Sequence, residues 1–481
     1  MIKANGTRWS TPVRLLKLAL LPFLLLFIVA NANANAKDAE PTNLLLIVVD
    51  DLGFGDLGSY GHPVIQTPHL DDLADKGIRF TQYYSASALC SPSRAAMLTG
   101  RHPYRTGIQS WIPADSGVYL RDREITLAEL LKAQNYQTAL VGKWHLNSDL
   151  GSKSEPQPTD QGFDYFYGHN AFQTPTNKNP DNLYRNRDPL PVQTGFTADL
   201  FAEESIAWLS ARDPKRPFFL MLSMAEPHTP IENPDAVNAL YREHTMGDIV
   251  PIPSGGPSPP KALLKARGPG EYYANVTYMD QGIGQVIDFI NETEIRSSTL
   301  IIFVSDNGPV TDDWINWWEV NAYGATGGYR GRKHYLYEGG IRVPAIISQP
   351  GRLPEGQVSN VMFTGTDWLA TLAGLLPFDI PTDRSIDSVD VARDWMSDES
   401  TRSTSVHWSL PTPNGLDHVI RVGDLKLILD QNFDPMALYD LAQDPFEMFD
   451  LRAEMPERVS ELIEQHRAFM ASIENDPLRP K

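Results

Sequence analysis

The sequence predicts an α/β protein with a large, mixed and mostly parallel sheet flanked by helices, followed by a smaller C-terminal antiparallel sheet with one helix. Two observations carry this prediction. Long apolar segments that end in polar residues alternate with helix-like segments through most of the chain, as is typical of parallel strands buried on both faces. Shorter strand-like segments with polar turns then precede a final helix from about Pro456.

The N-terminal segment has the composition of an export signal. Basic residues precede an apolar stretch at 18–30, and "NANANA" then offers A-x-A cleavage sites at Ala34 or Ala36. We therefore predict a signal peptide over 1–36 and an exported protein, periplasmic or secreted. No membrane anchor is expected, because the apolar stretch is short for a bilayer span. The remainder is predicted to divide into domains at 37–385 and 386–481.

Composition bounds the possible partners. The chain is 42% hydrophobic and 21% charged, as in ordinary globular proteins. Its formal charge of −19 becomes −23 without residues 1–36, which carry four basic and no acidic residues. This charge argues against binding nucleic acid or anionic lipid. An anionic substrate would need cations concentrated at its site.

Four apolar segments are predicted strands, and all four end in polar residues. They span 43–51, 136–145, 217–228 and 298–308, with helix-like segments such as 125–135 and 280–293 between them. The polar residues at their ends are Asp50 and Asp51, Lys143 and His145, Glu226 and His228, and Asp306 and Asn307. Parallel sheets bind ligands beyond the carboxyl ends of their strands, so these residues are expected to converge. A single Asp after a strand is more often a turn former or helix N-cap.

The acidic ends predict a metal. Three carboxylates and an amide oxygen at one sheet edge would repel one another unless a hard cation lay between them. Calcium or magnesium is expected, because the set lacks the thiolate and imidazole content that favours zinc.

Cys90 is the only cysteine of the chain, and it lies in "ALCSPSRAAMLTG" at 88–100. It can form no internal disulfide, so it is either a buried apolar filler or chemically used. It precedes a predicted helix whose first residues include Pro92, Ser93 and Arg94. A helix N-terminus and a guanidinium could lower the thiol pKa and give a nucleophilic thiolate. Thiolate phosphatases, however, usually have a longer loop between Cys and Arg.

Several motifs resemble those of type I sulfatases, in the alkaline phosphatase-like superfamily. "CSPSRAAMLTGR" resembles the C-x-P-x-R signature of that family. Six further segments follow the order that the family uses: "IVVDDLGFGDLGSYG", "GKWHL", "GFDYFYG", "PHTP", "SDNG" and "EGGIRVP". The resemblance covers about 43–375 and implies a catalytic domain there, with 386–481 as its C-terminal subdomain.

The resemblance implies that Cys90 is a precursor. In sulfatases a separate formylglycine-generating enzyme reads C-x-P-x-R and oxidises the cysteine to Cα-formylglycine. One hydroxyl of the hydrated aldehyde attacks sulfur, and loss of the second hydroxyl's proton then releases sulfate and restores the aldehyde. A serine hydroxyl could attack sulfur, but it has no second hydroxyl with which to release the sulfate.

The resemblance also assigns site roles. Asp50, Asp51, Asp306 and Asn307 match the Ca²⁺ ligands, and the diol at position 90 completes the set.

The remaining catalytic assignments follow from the same motifs. Arg94 and Lys143 are expected to hold the nucleophile and the sulfate, and Lys333 to contact sulfate oxygens. His145 is the candidate acceptor of the second hydroxyl's proton. His228 is the candidate acid for the leaving group, with Lys333 as the alternative.

A sulfated carbohydrate or polysaccharide is the expected substrate. Trp314 lies in a tryptophan-rich segment ahead of Arg330 and Arg332. Indole rings form platforms for sugars, although tryptophans at helical spacing more commonly pack in a protein core. His169 and Glu226 are further candidate contacts. Glu226 either raises the pKa of His228 or faces water. The open alternatives are a phosphatase, phosphodiesterase or phosphonate hydrolase of the same superfamily, and a catalytically dead glycan-binding protein.

Overall fold

A computed structural model describes residues 42–244, 268–310, 323–397, 399 and 402–480. The predicted signal peptide lies outside the described residues. So does most of the segment 247–270, which its Pro, Gly and Ser content predicts to be a loop. The strands are β1 (Asn43–Val49), β2 (Ile78–Phe80), β3 (Tyr83–Tyr84), β4 (Gln137–Lys143), β5 (Tyr165–His169), β6 (Tyr184–Arg185), β7 (Asp188–Pro189), β8 (Phe218–Ser223), β9 (Thr299–Ser305), β10 (Ala345–Ser348), β11 (Gln357–Ser359), β12 (Phe363–Thr364), β13 (Val406–Ser409), β14 (His418–Val422), β15 (Leu425–Leu429) and β16 (Pro435–Asp440).

The helices lie between these strands and after them. They are α1 (Pro68–Asp75), α2 (Cys90–Thr99), α3 (Pro103–Thr106), α4 (Leu127–Ala133), α5 (Thr197–Ala211), α6 (Asp235–Asn238), α7 (Pro269–Glu292), α8 (Glu338–Ile341), α9 (Trp368–Leu375), α10 (Ala392–Ser397) and α11 (Pro456–Glu474). None of the helices in the described ranges is long and apolar enough to cross a membrane.

The large sheet has ten strands in the order β11-β2-β10-β9-β1-β8-β4-β5-β6-β7. The five central strands, β9 to β5, run parallel to one another. Strand β10 is antiparallel to both of its neighbours. The predicted mixed, mostly parallel sheet is confirmed, and its parallel centre brings the carboxyl ends of β1, β4, β8 and β9 to one edge.

Strand β1 is buried on both faces, as its continuous apolar sequence predicts. Leu44, Leu46 and Val48 join a core cluster that includes Trp368 of α9. The alternate residues of β1 join a second cluster, on the other face, to which α5 and α7 contribute. Because side chains alternate across a strand, an uninterrupted apolar run can fill both cores.

The C-terminal strands form an antiparallel sheet in the order β13-β14-β15-β16. One face contributes Val419 and Ile428 to a cluster with Tyr84 and Ile341, which precede this sheet in the chain. The other face packs Ile420 and neighbouring residues against α11. This confirms the predicted small sheet with its helix, whereas the division at 385/386 stays a prediction, since Thr42–Lys481 forms one compact unit.

Candidate active site

The predicted polar strand ends meet at the carboxyl edge of the large sheet. Asp50 and Asp51 directly follow β1, and Asp306 and Asn307 follow the adjacent β9. Lys143 ends β4, two strands away on the other side. The convergence expected from the apolar pattern is therefore present.

The four acidic and amide side chains form one buried group. All four are at most 1% exposed. The backbone N–H of Asp51 donates to Asp306 Oδ1 at 3.3 Å, and Asn307 Nδ2 donates to Asp51 Oδ1 at 2.7 Å. One ligand atom each from Asp50, Cys90 and Asp306 lies within 4.8 Å of the others, and the same holds for Asp50, Asp51 and His228.

Three cations pair with these carboxylates. Lys143 Nζ lies 2.5 Å from Asp50, Lys333 Nζ lies 2.6 Å from Asp51, and Arg94 Nη2 lies 2.8 Å from Asp306. Burial opposes ionisation of Asp50, but the positive charges, Lys143 foremost, hold its pKa well below its usual range. Burial and the charge of Asp50 raise the pKa of Asp306.

This donor set fits a hard divalent cation. Oδ1 of Asp50 and Oδ1 of Asn307 are buried and lack a hydrogen-bond partner among the described residues. Unpartnered buried oxygens are costly unless a ligand satisfies them. Carboxylate and amide oxygens are the ligands that Ca²⁺ prefers. Because three carboxylates already face three cations, a bound divalent ion would make the centre positive and attractive to an anion.

Cys90 is the first residue of α2 and is 2% exposed. Its Sγ lies 3.5 Å from Lys333 Nζ. Burial raises the pKa of the Cys90 thiol to about 11, in spite of Lys143 and Lys333. The idea that the helix N-terminus and Arg94 make Cys90 a ready thiolate is therefore wrong, since desolvation outweighs the nearby positive charge.

The two candidate histidines have distinct environments. His145 is 3% exposed, and its Nε2 lies 3.1 Å from the Ile112 carbonyl, so this nitrogen carries the proton. Its Nδ1 is then an acceptor, buried and without a partner among the described residues. The side chain of His228 is 21% exposed, with Nε2 3.7 Å from Asp51 Oδ2 and Nδ1 2.5 Å from the Thr229 carbonyl. Burial, more than any other influence, lowers the pKa of both rings.

The candidate substrate contacts divide into buried and accessible residues. His169 is 0% exposed, lies beside Lys143 in the β4–β5 register, and stacks on Phe201. In this structure its ring offers no surface to a sugar. Arg330 is exposed and Arg332 is half-buried. Trp314 lies outside the described residues.

Both expectations for Glu226 are wrong. The residue is 1% exposed rather than facing water, and its Oε1 accepts a 2.6 Å hydrogen bond from Thr197 Oγ1. The pKa of His228 is lowered by burial, not raised, and the acidic residues that oppose this lowering are Asp50 and Asp51. The side chain of Glu226 turns towards α5 because Thr197, at the start of that helix, supplies a donor.

The sequence reasoning missed Ser223, the last residue of β8. Its Oγ accepts a 2.6 Å hydrogen bond from Arg94 Nη1, which also donates to the Lys143 carbonyl. These contacts and the ion pair with Asp306 lock the guanidinium in one orientation. The signal was present, because Ser223 also follows an apolar segment. The backbone strain at Asp51 and His145, with φ of 66° and 57°, had no such signal.

The fold and this centre define the class of the protein. A large sheet of this topology with a small C-terminal antiparallel sheet is the architecture of the alkaline phosphatase-like superfamily. The chain belongs to the sulfatase family, whose sequence profile matches residues 42–378. With sulfatases among its curated relatives, it is a sulfuric ester hydrolase.

Three similar proteins illustrate this relationship. Steryl-sulfatase of Homo sapiens is 33% identical over 79% of this chain and 73% of its own. N-acetylgalactosamine-6-O-sulfatase of Bacteroides thetaiotaomicron is 28% identical over 93% of this chain and 97% of its own. Among solved structures, Ps i-CgsB in complex with k-i-k-neocarrahexaose has a TM-score of 0.75 and 25% identity, covering 89% of this chain and 92% of its own.

Proposed function

We propose that this sulfatase hydrolyses sulfate esters of a sulfated carbohydrate through a formylglycine hydrate made from Cys90 and a bound calcium ion. The observation that carries the proposal is the position of the chain's only cysteine. Cys90 lies at the N-terminus of α2, with its ligand atom within 4.8 Å of Asp50 and Asp306 and its sulfur 3.5 Å from Lys333. A lone, buried, protonated thiol among these groups is better placed as a precursor than as a nucleophile.

Calcium would be held by Asp50, Asp51, Asp306 and Asn307. When bound, it supplies positive charge that lowers the pKa of a coordinated hydroxyl and neutralises a sulfate oxygen. The protein holds the ligand side chains in fixed positions. Arg94 fixes Asp306 through paired contacts, and Asn307 fixes Asp51, so the ligand oxygens are pre-arranged.

The modification at position 90 requires a partner, a formylglycine-generating enzyme that reads the segment containing Pro92 and Arg94. Once hydrated, formylglycine supplies two hydroxyls on one carbon, of which one takes the sulfuryl group and the other allows its release. Because Cys90 is buried in the folded protein, the maturation enzyme would have to oxidise it before the chain folds. Export by the segment 1–36, to the periplasm or beyond, is part of the proposal.

The cations of the site have different tasks. Arg94 is 0% exposed and fully engaged with Asp306, Ser223 and the Lys143 carbonyl, so it orients the centre. Lys333 bridges Asp51 and the residue 90 side chain. Its ammonium therefore lies where a sulfate attached at residue 90 would place an oxygen.

Proton transfers fall to the two histidines. His145 is a neutral imidazole whose free Nδ1 can accept the proton of the second hydroxyl. His228 holds its Nδ1 proton against the Thr229 carbonyl, so donation to a leaving alkoxide requires a second proton on Nε2. Lys333 remains the alternative donor. Asp51 raises its pKa against the effect of burial, so the side chain stays protonated and has a proton to give.

A carbohydrate substrate is supported by the names of similar proteins and by the exposed surface near the site. A bacterial relative spanning nearly the whole chain is named for N-acetylgalactosamine-6-O-sulfate chemistry. One similar structure holds a neocarrahexaose. Exposed Arg330 and half-buried Arg332, both close in sequence to Lys333, supply positive charge on an otherwise acidic protein.

The test compares sulfate release from sulfated mono- and oligosaccharides with release from an aryl sulfate, at matched concentration, in matured protein. We expect a larger kcat/KM for at least one carbohydrate. The Cys90→Ala variant should release none. The contradicting result is sulfate release from the aryl ester together with no release from any of a set of carbohydrates sulfated at each ring position. That result would rule out the proposed substrate class.

A further inference from the structure

The loop that carries Lys333 is shaped by the short helix α8. The backbone N–H of Gly339 donates to the Arg330 carbonyl at 2.7 Å. A Cβ on Gly340 would lie 2.0 Å from the carbonyl oxygen of Tyr335. The loop therefore lies directly on the backbone of α8, and the placement of that helix sets the placement of Lys333.

Helix α8 is held by a lysine of the C-terminal sheet. Glu338, its first residue, is 0% exposed. Lys426 on β15 is also 0% exposed, and its Nζ donates to Glu338 Oε1 at 2.9 Å. Tyr84, six residues before Cys90, donates to the second oxygen at 2.7 Å. One buried carboxylate thus connects the Lys333 loop, the segment leading to Cys90 and the C-terminal sheet.

A second carboxylate of the C-terminal subdomain completes the connection. Glu447 Oε2 accepts the backbone N–H of Glu338 at 2.8 Å, and Oε1 lies 2.9 Å from Lys426 Nζ. The Glu447 carbonyl also accepts a 2.9 Å hydrogen bond from Arg330 Nη1. The subdomain therefore contacts the loop on both sides of Lys333, at positions 330 and 338.

We infer that Lys426 and Glu447 are positioning residues for Lys333 in the sulfatase reaction, which rests on the role proposed above for Lys333. Buried ion pairs contribute little net stability but are costly to leave partly unpaired, so they favour one arrangement. That arrangement holds Lys333 Nζ 2.6 Å from Asp51 and 3.5 Å from the residue 90 side chain. The C-terminal subdomain therefore contributes to the active site by positioning Lys333.

The competing explanation is that the cluster only fastens two domains together. A matched control exists, because Asp476 ties the C-terminal end of the chain to the same domain through buried ion pairs with Arg101 and Arg105. Its contacts lie away from the Lys333 loop. Asp476→Asn should lower the unfolding temperature while kcat per formylglycine stays unchanged.

The experiment measures kcat, KM and unfolding temperature for Glu447→Gln, alone and combined with Lys333→Ala. Glutamine keeps the shape of Glu447 but gives up the charge that pairs with Lys426. We expect a kcat loss of about tenfold for the single variant, because small misplacement of a reacting-site group is costly, with KM changed less. In the Lys333→Ala background the same substitution should change kcat by less than about twofold, because its effect passes through Lys333.

Each outcome decides the inference. Equal kcat losses in both backgrounds, or a loss matched by Asp476→Asn, would overturn positioning and leave the proposed function standing. A Lys333→Ala variant with wild-type kcat would instead overturn the role of Lys333, and positioning with it. Lys426→Met serves as the second variant and should reproduce the same dependence on Lys333 if Glu447→Gln folds poorly.

Discussion

At the scale of the residue, burial decides the chemistry of the groups around Cys90. It keeps the thiol protonated and both site histidines neutral, although carboxylates and cations lie within a few ångströms. The sequence shows which side chains follow a strand but not how far water is excluded from them. This is why the position of Cys90 could be predicted and its protonation could not.

His228 yields a prediction about pH. Because burial lowers its pKa below the ordinary 6.5, a reaction that needs its doubly protonated ring loses rate as pH rises through that lowered pKa and on through the neutral range. We expect kcat/KM to fall over that range in wild-type protein and to lose this dependence in His228→Asn. A profile that stays flat to about pH 9 would contradict the role of His228 and assign proton donation to Lys333.

Cys90→Ser yields a prediction about covalent trapping. A serine hydroxyl can take the sulfuryl group, but it lacks the second hydroxyl needed for its release. We expect one sulfuryl group per chain after incubation with substrate, located by mass spectrometry of the peptide containing residue 90. Cys90→Ala should remain unlabelled. Multiple turnovers by the serine variant, without any mass increase, would show that the second hydroxyl is dispensable.

At the scale of the element, the strand ends supply most of the side chains of the site, and loops supply the rest. Strands at 43–51, 136–145, 217–228 and 298–308 were predicted from apolar runs, and each observed strand lies within its predicted range. Three of them end before their polar residues, whereas β4 ends on Lys143 itself. The helix predicted at 280–293 is the second half of α7, which begins at Pro269. Its first half was missed because polar residues and glycine weaken the apolar period there.

The neighbouring ends of β1 and β9 predict a response to calcium removal. Chelation should lower both sulfatase activity and the unfolding temperature, because a ligand that binds only the folded state stabilises it. Returning Ca²⁺ should restore both. Asp50→Asn should be less stabilised by added Ca²⁺ than the wild-type protein. Activity and unfolding temperature that are indifferent to thorough chelation would contradict a calcium site.

At the scale of the whole molecule, a cluster of histidines lies where the segment after α2 meets the C-terminal sheet and α11. His102, His407, His418 and His466 are all buried, and His407 Nδ1 lies 3.0 Å from His466 Nδ1. Burial lowers the pKa of His102 and His407 to about 3. The sequence could not predict this cluster, because its members are separated by up to several hundred residues.

The cluster predicts how a variant depends on pH. A histidine with a lowered folded-state pKa stabilises the protein above about 6.5, and this contribution is lost as pH falls towards the folded-state pKa. For His102 the loss at pH 5 is up to about 2 kcal/mol. Denaturant unfolding should therefore show His102→Asn losing less stability than wild type between pH 7 and pH 5.

The comparison with wild type is essential, because Asp56 and Asp280 titrate in the opposite sense. Burial raises the pKa of both to about 7, so acidification stabilises the folded state through them. They are unchanged in His102→Asn and cancel in the difference. A difference in unfolding free energy that does not vary with pH would contradict a neutral, buried His102.

Formylglycine at position 90 can be detected by measuring the mass of the peptide that contains this residue, with hydrazide labelling of any aldehyde. The protein should be exported from a host that matures other sulfatases, and its sulfatase activity measured on the same sample. We expect formylglycine at position 90, with activity proportional to the fraction of chains that carry it. Full activity from a protein whose Cys90 is an unmodified thiol would contradict it.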